Sequence, residues 1–110
     1  MKVLFVLFRR ADISHEQALA EWSGPRHTAI VHDVPGLKKW VQNHVVQVPN
    51  EQAADGIGEL WFEDADAMQQ AMSSPQMAKA IEDARQFLDM ERTHALVVHE
   101  KTVMGQHIAV

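Results

Sequence analysis

Lys2-Val3-Leu4-Phe5-Val6-Leu7-Phe8-Arg9 is a run of β-branched, aliphatic and aromatic residues near the start of the chain. In an extended chain, Lys2, Leu4, Val6 and Phe8 point one way and Val3, Phe5, Leu7 and Arg9 the other. Both sides are apolar, so the run predicts a strand covered on both faces. It does not fit a secretory signal. Its apolar part, Val3 to Phe8, is short, and Arg9-Arg10 closes it where small residues would mark a cleavage site. The expected location is the cytoplasm.

Beyond this strand, Ser14 followed by Gln17 is a capping-box pattern that starts a helix, with Ala18, Leu19 and Trp22 as its apolar stripe. Gly24-Pro25 interrupts it. Pro25 suits the first position of a second helix, with Ser23 as its cap. There His27, Ile30, Val31 and Val34 recur at helical spacing on one inward face, until Pro35-Gly36 turns the chain. Residues 37–48 predict a long strand with Trp40, Gln42 and His44 on one face and Leu37, Val41 and Val45 on the other. Residues 56–63 predict a third strand, with Glu59 and Trp61 opposed to Leu60 and Phe62. Asp64 and Asp66 stand at cap positions before Met68, Ala71 and Met72. Ser74-Pro75 starts a further helix carrying Met77, Ala78, Ile81, Ala84, Phe87 and Leu88. His94 to Val103 predicts the last strand, and residues 105–110 form a tail.

The order β-α-β, β-α-β is the ferredoxin-like plan of the α+β class. It builds a four-stranded antiparallel sheet with helices on one face. The 110 residues fit one domain over 1–110. The composition, 46% hydrophobic and 23% charged, is that of a folded globule. A net charge of −5 argues against nucleic acid and against an anionic membrane surface as partners. The absence of cysteine removes disulfides, thiolate metal sites and a cysteine nucleophile, and fits a reducing compartment. No apolar run approaches the roughly 20 residues of a membrane span.

One face of the sheet lacks a helical cover, yet several strands are apolar on both sides. Leaving about eight such side chains wet forfeits on the order of 10 kcal/mol or more, comparable to the whole stability of a small domain. A second copy packed sheet to sheet is the natural cover, so a twofold homodimer is expected. The alternative is a monomer whose tail folds over the sheet.

The stretch Trp22 to Val45 (Trp-Ser-Gly-Pro-Arg-His, then Val34-Pro35-Gly36, then Gln42-Asn43-His44) resembles the EthD family, named for ethyl tert-butyl ether degradation, within the dimeric α+β barrel superfamily. Gly56, Glu59, Trp61 and Phe62 are similar to that family, as are the Ser74-Pro75 helix start and the Glu82 to Asp89 segment. Trp22 and His27 stand five apart where four is commoner, and Thr28-Ala29 follows where a proline is usual. The resemblance implies a dimeric α+β barrel with a pocket between the sheet and the helix bearing His27. The implied chemistry uses no cofactor: proton transfer in a lyase, isomerase or cyclase, or a monooxygenase step, on a small aromatic, lactone or ether-like compound. Lactone isomerisation through a His and a Cys does not carry over, because no Cys is present.

His27 matches the family histidine and is the first candidate for a general acid or base; its alternative is a core histidine bonded to backbone. Glu59, expected on a buried strand, either orients His27 and moves a proton itself or pairs with a Lys or Arg. Trp40, Gln42 and His44 share a face suited to an aromatic or apolar ligand needing a few oriented polar contacts, with plain packing as the alternative. Trp61 and Val31 complete the candidate ligand-binding set. The seven histidines do not fall at metal-ligand spacing: His27 and His32 diverge on their helix, and His94 and His99 face opposite sides of a strand. No metal and no glycine-rich phosphate loop is expected. Two function classes stay open: a cofactor-independent enzyme in which His27 moves the proton, or a non-catalytic accessory protein that binds a metabolite of a degradation pathway.

Overall fold

The computed structural model describes residues 1–105. Its elements are β1 (Lys2–Leu7), α1 (His15–Trp22), α2 (Pro25–His32), β2 (Lys39–His44), β3 (Gly56–Trp61), α3 (Ala65–Met72), α4 (Pro75–Ala84) and β4 (His94–Val98). The four strands form one sheet in the order β2-β3-β1-β4 with every neighbour antiparallel. This is the ferredoxin-like architecture, with each helical region split in two. The expected tail lies almost wholly in residues 106–110, outside the described residues.

The helix starts follow their sequence signals. Ser14 and Gln17 form the reciprocal capping box on α1. The Asp64 side chain accepts from the Ala67 amide, and Ser74 accepts from Met77 with Pro75 in the first turn of α4. One cap differs from expectation. Gly24, in extended conformation, precedes α2 with no side-chain cap, whereas Ser23 closes α1 and its hydroxyl donates to the Leu19 carbonyl at 2.8 Å. With Pro25 fixing the first turn of α2, the break falls one residue later than expected.

All four strands and α4 are shorter than the sequence suggests, with β1 ending at Leu7 and β3 at Trp61, each two residues early. β2 ends at His44 because its partner β3 begins at Gly56, and β4 ends at Val98 because Lys2 is the first residue of β1. A strand lasts only as long as its ladder has a partner. Helix α4 ends at Ala84, and Phe87 and Leu88 are buried from the turns that follow. On α4 the inward residues include Ala80 and Asp83, whereas Ala78 is exposed.

The ladder fixes which side chains share a face. Val3, Phe5 and Leu7 of β1 stand with Gly56, Gly58 and Leu60 of β3 and with Trp40, Gln42 and His44 of β2. All four helices pack on this side, where two apolar clusters form, one around Val3, Leu60, Phe62 and Met77 and one around Leu7, Trp22 and Phe87. The other side carries Leu4, Val6, Val41, Ile57, Trp61, Leu96 and Val98 together with Lys2, Lys39, Asn43 and Glu59. No helix of the described residues covers it.

Glycine is required where the sheet meets α1. A Cβ on Gly56 would stand 2.7 Å from Trp22 Cζ3, closer than real Cβ contacts allow. The indole of Trp22 therefore lies directly on the backbone of β3, which fixes the distance between α1 and the sheet.

Candidate functional site

Helix α2 turns His27 inward, and α4 presents Asp83 to it. The ring Nδ1 lies 3.0 Å from Asp83 Oδ2, and both side chains are nearly sealed from solvent, at 6% and 7% exposure. Asp83 Oδ1 accepts from Arg26 Nε at 2.8 Å and, more distantly, from Gln86. Arg26 is half-exposed and also donates to Glu21 at 2.9 Å. Burial pushes the Asp83 carboxyl up, but the bonds from Arg26 and His27 outweigh it and hold the group below its ordinary range. Burial pushes the His27 imidazole down, and the Asp83 carboxylate only partly offsets this. The pair at neutral pH is therefore an ionised Asp83 and a neutral His27. Because a carboxylate can only accept, Nδ1 carries the proton and Nε2 keeps its lone pair.

That lone pair borders open space. Among the described residues Nε2 has no protein partner, yet none of their polar side-chain atoms is both sealed from solvent and unpaired. The space beside it is a half-open cavity of about 70 Å³ between the helices and the sheet. Its walls include Trp22, Val31, Trp40, Leu60, Met77 and Ile81, and its few polar groups include His27 and Thr93. The His27 ring meets Phe87 edge-on at 5.2 Å and Trp40 at 6.4 Å between centroids. A basic nitrogen held in one orientation against an apolar chamber can take a proton from a bound molecule.

The expected site residues divide between the two sides of the sheet. His27, Val31 and Trp40 line the cavity. Gln42 and His44 stand on the same side but serve its wall: Gln42 donates to the Trp22 carbonyl at 3.0 Å, and His44 donates to Gln42 at 2.8 Å while stacking on Trp22. Glu59 and Trp61 project from the opposite face. The expectation that Glu59 orients His27 is therefore corrected, since the sheet stands between them. Glu59 pairs with Lys2 at 2.6 Å and accepts from Asn43 at 2.9 Å. The Lys2 ammonium, then the Asn43 amide, hold its carboxyl below the usual range. Trp61 lies between the ammonium groups of Lys2 and Lys39, at 4.7 and 4.8 Å from its ring.

Asp83 is the member of this candidate site that sequence reasoning missed. The signal was present. Ala80, Asp83, Ala84 and Phe87 fall at helical spacing, which puts a carboxylate inside the apolar stripe of α4, and a carboxylate there needs a partner. Among the described residues no group of three or more His, Cys, Asp or Glu side chains is placed to hold a metal ion. No helix of the described residues is long and apolar enough to cross a membrane.

A second histidine is held differently. His15, at the start of α1, has Nδ1 2.7 Å from Asp55 Oδ1 and Nε2 2.7 Å from the Val45 carbonyl. Asp55 is buried, accepts from the Arg9 amide at 2.8 Å, and has the Arg9 guanidinium 3.6 Å away. Burial lowers the His15 pKa, but the bonds to Asp55 and Val45 raise it further, and the net direction is up.

The comparisons agree with this architecture. The EthD domain profile matches residues 10–91. An ethyl tert-butyl ether degradation (EthD) family protein from Bacillus halodurans is 22% identical, with a TM-score of 0.73 over 92% of this chain and 99% of that one. SnoaB from Streptomyces nogalater, described as a cofactor-independent oxygenase, is 14% identical, with a TM-score of 0.58 over 93% and 96%. A protein of unknown function from Bacteroides fragilis, described as dimeric and ferredoxin-like, is 11% identical, with a TM-score of 0.64 over 86% and 90%. No protein with a curated description matches the sequence. With three-quarters of its length matched by one profile, and with the sheet order and helix placement to go with it, this chain belongs to the EthD family.

Proposed function

We propose that the protein is a cofactor-independent enzyme that moves a proton on a small, uncharged, largely apolar molecule, with His27 as the general base. The observation that carries this reading is the His27–Asp83 pair at 3.0 Å against the cavity. Asp83 fixes the tautomer and stabilises the imidazolium once the proton has moved. Arg26 keeps Asp83 ionised from outside. The cavity wall named above holds no Lys or Arg, so a carboxylate or phosphate on the ligand would enter without a counter-charge, at a high desolvation cost. Lyases, isomerases and cyclases that work by proton abstraction all begin with such a transfer. An oxygenase step is a second form of the same reading, favoured by the likeness to SnoaB.

The nearly apolar lining favours a second reading, a binding protein that sequesters or delivers an apolar metabolite. One experiment separates the two. A thermal-shift screen of aromatic, lactone and ether compounds finds ligands by mass action, and His27→Gln is then compared with the parent on each hit. Lost turnover with retained affinity supports the enzyme. Binding with no turnover in the parent supports the carrier.

The active assembly in this reading is a homodimer closed through the open face of the sheet. Leu4, Val6, Val41, Ile57, Leu96 and Val98 give that face its apolar character. Burying each is worth about 1.5–3 kcal/mol. The dimeric description of the Bacteroides protein supports this assembly.

A further inference from the structure

We propose that the cavity is a slot for a planar, conjugated carbonyl compound, laid over Gly58 with its oxygen on the indole N–H of Trp40 and its acidic hydrogen toward His27 Nε2. This deepens the proton-transfer reading and rests on it for the role of His27.

Three observations meet at Gly58. The first is the floor. Gly58 lines the cavity on the helix-covered side of β3, and a Cβ there would reach Trp22 Cζ2 at 3.3 Å, Phe5 Cβ at 3.8 Å and Trp40 Nε1 at 4.0 Å. The fit is less tight than at Gly56: a Cβ on Gly58 would press on the edge of Trp22 but would meet Phe5 and the Trp40 Nε1 only at ordinary contact distance, so it would fill the gap between the two indoles. The glycine keeps a patch of flat backbone bare between Trp22 and Trp40, and such a surface suits a flat ring better than a bulky saturated one. Met77 and Met90, unbranched and adaptable, line the same space and let a cavity of about 70 Å³ widen around one ring.

The second is a donor. Trp40 Nε1 has no hydrogen-bond partner among the described residues, and none of their polar side-chain atoms is both unpaired and sealed. Its place beside Gly58 puts this N–H at the cavity floor. An indole nitrogen can only donate. The third is the acceptor, Nε2 of His27, on the neighbouring wall. A donor and a base on adjacent walls of an apolar slot match a group that has an acceptor oxygen and an acidic hydrogen in conjugation with it.

The step balances without a co-reactant. Nε2 takes the hydrogen from the carbon next to the carbonyl, or from a vinylogous position. The C–H electron pair forms the new C=C bond, and the carbonyl π pair moves onto oxygen. The resulting enolate oxygen is held by the Trp40 N–H, and the imidazolium is held by Asp83. Return of the same proton to another carbon of the conjugated system completes an isomerisation. An oxygen that gains charge strengthens its bond to a fixed donor at that moment, which is what lowers a barrier.

The test uses 4-nitrophenol as a planar stand-in for the enolate and 4-nitroanisole as the same ring without a proton. It is run on the full-length protein at a pH where free 4-nitrophenol is still protonated. The parent should bind both probes, convert bound 4-nitrophenol to its yellow phenolate form, and move the Trp40 indole N–H signal in the proton NMR spectrum. Trp40→Phe should bind 4-nitroanisole within about threefold of the parent and lower the phenolate fraction about tenfold. Gly58→Val should weaken both probes more than tenfold; Gly58→Ala, a smaller intrusion, should weaken them severalfold if the valine variant fails to fold. Absence of binding to the parent overturns the slot, as does binding that ignores Gly58→Ala and leaves the Trp40 signal in place. His27→Gln separates the two proposals. If Gly58 and Trp40 respond as expected but His27→Gln forms as much phenolate as the parent, the base assignment fails while the slot stands.

Discussion

Two histidine–aspartate pairs in this chain share the same bond and have opposite electrostatics. In both, an imidazole Nδ1 meets a carboxylate, at 2.7 Å for His15–Asp55 and 3.0 Å for His27–Asp83. His15 is pulled up in pKa and His27 is pushed down. The second ring nitrogen decides the difference. For His15 it faces the Val45 carbonyl, so both nitrogens look at acceptors, and the ring satisfies both only as an imidazolium. For His27 it faces an apolar cavity where a positive charge is unwelcome. A carboxylate alone does not make a histidine acidic or basic; what its far nitrogen meets does. The first pair is a clamp that ties the start of α1 to the loop between β2 and β3. The second, in the proposed function, is a poised base.

The largest test of this contrast is functional. On a substrate found by the thermal-shift screen, His27→Gln should lower turnover by roughly 10²–10⁴-fold, whereas His15→Gln should leave it within about threefold. Equal losses would erase the distinction. Next come the carboxylates. Asp55→Asn removes a buried carboxylate and leaves the part-buried His15 imidazolium beside Arg9 without a counter-charge, and should cost about 2 kcal/mol in urea unfolding at pH 6. Asp83→Asn leaves a neutral His27 and a half-exposed Arg26, and should cost only about 1 kcal/mol. A reversed order would mean that the charge states have been exchanged.

The two rings should also give opposite pH slopes. The folded pKa of His15 is raised, so its contribution is full below the unfolded value of about 6.5 and is lost as pH rises through the higher folded value. His27 is lowered, so its contribution is full above about 6.5 and is lost as pH falls toward the lower folded value. Nitrogen-15 NMR titration should find both His15 nitrogens protonated at a pH where His27 holds one proton. The smallest expected effect is at the helix that presents His15. Ser14→Ala removes the capping box and should cost about 1 kcal/mol in thermal unfolding, without changing either titration.

Much of the fold was legible because its signals are local. The capping box at Ser14, the Ser74-Pro75 start and the alternating faces of β1 and β3 all hold in three dimensions. The site was legible only in part. Alternation assigns the residues of one strand to two faces, but it does not say which face of β2 joins which face of β3. That needs the register, in which Trp40 stands opposite Leu60 and Val41 opposite Glu59. Without it, Glu59 and Trp61 fall into one candidate set with residues from which the sheet separates them. Asp83 and His27 are 56 positions apart, and Asp55 and His15 are 40 apart; no local pattern joins such pairs. Register also explains the glycines, since the indole that rests on β3 comes from α1.

Trp61 has an optical consequence. Its indole stands on the open face of the sheet between the ammonium groups of Lys2 and Lys39, whereas Trp22 and Trp40 are enclosed by the helices. A dry seam between two sheets would shift the emission of Trp61 to the blue, and dilution would shift it back to the red. Fluorescence colour against concentration would then report assembly directly, with no label attached.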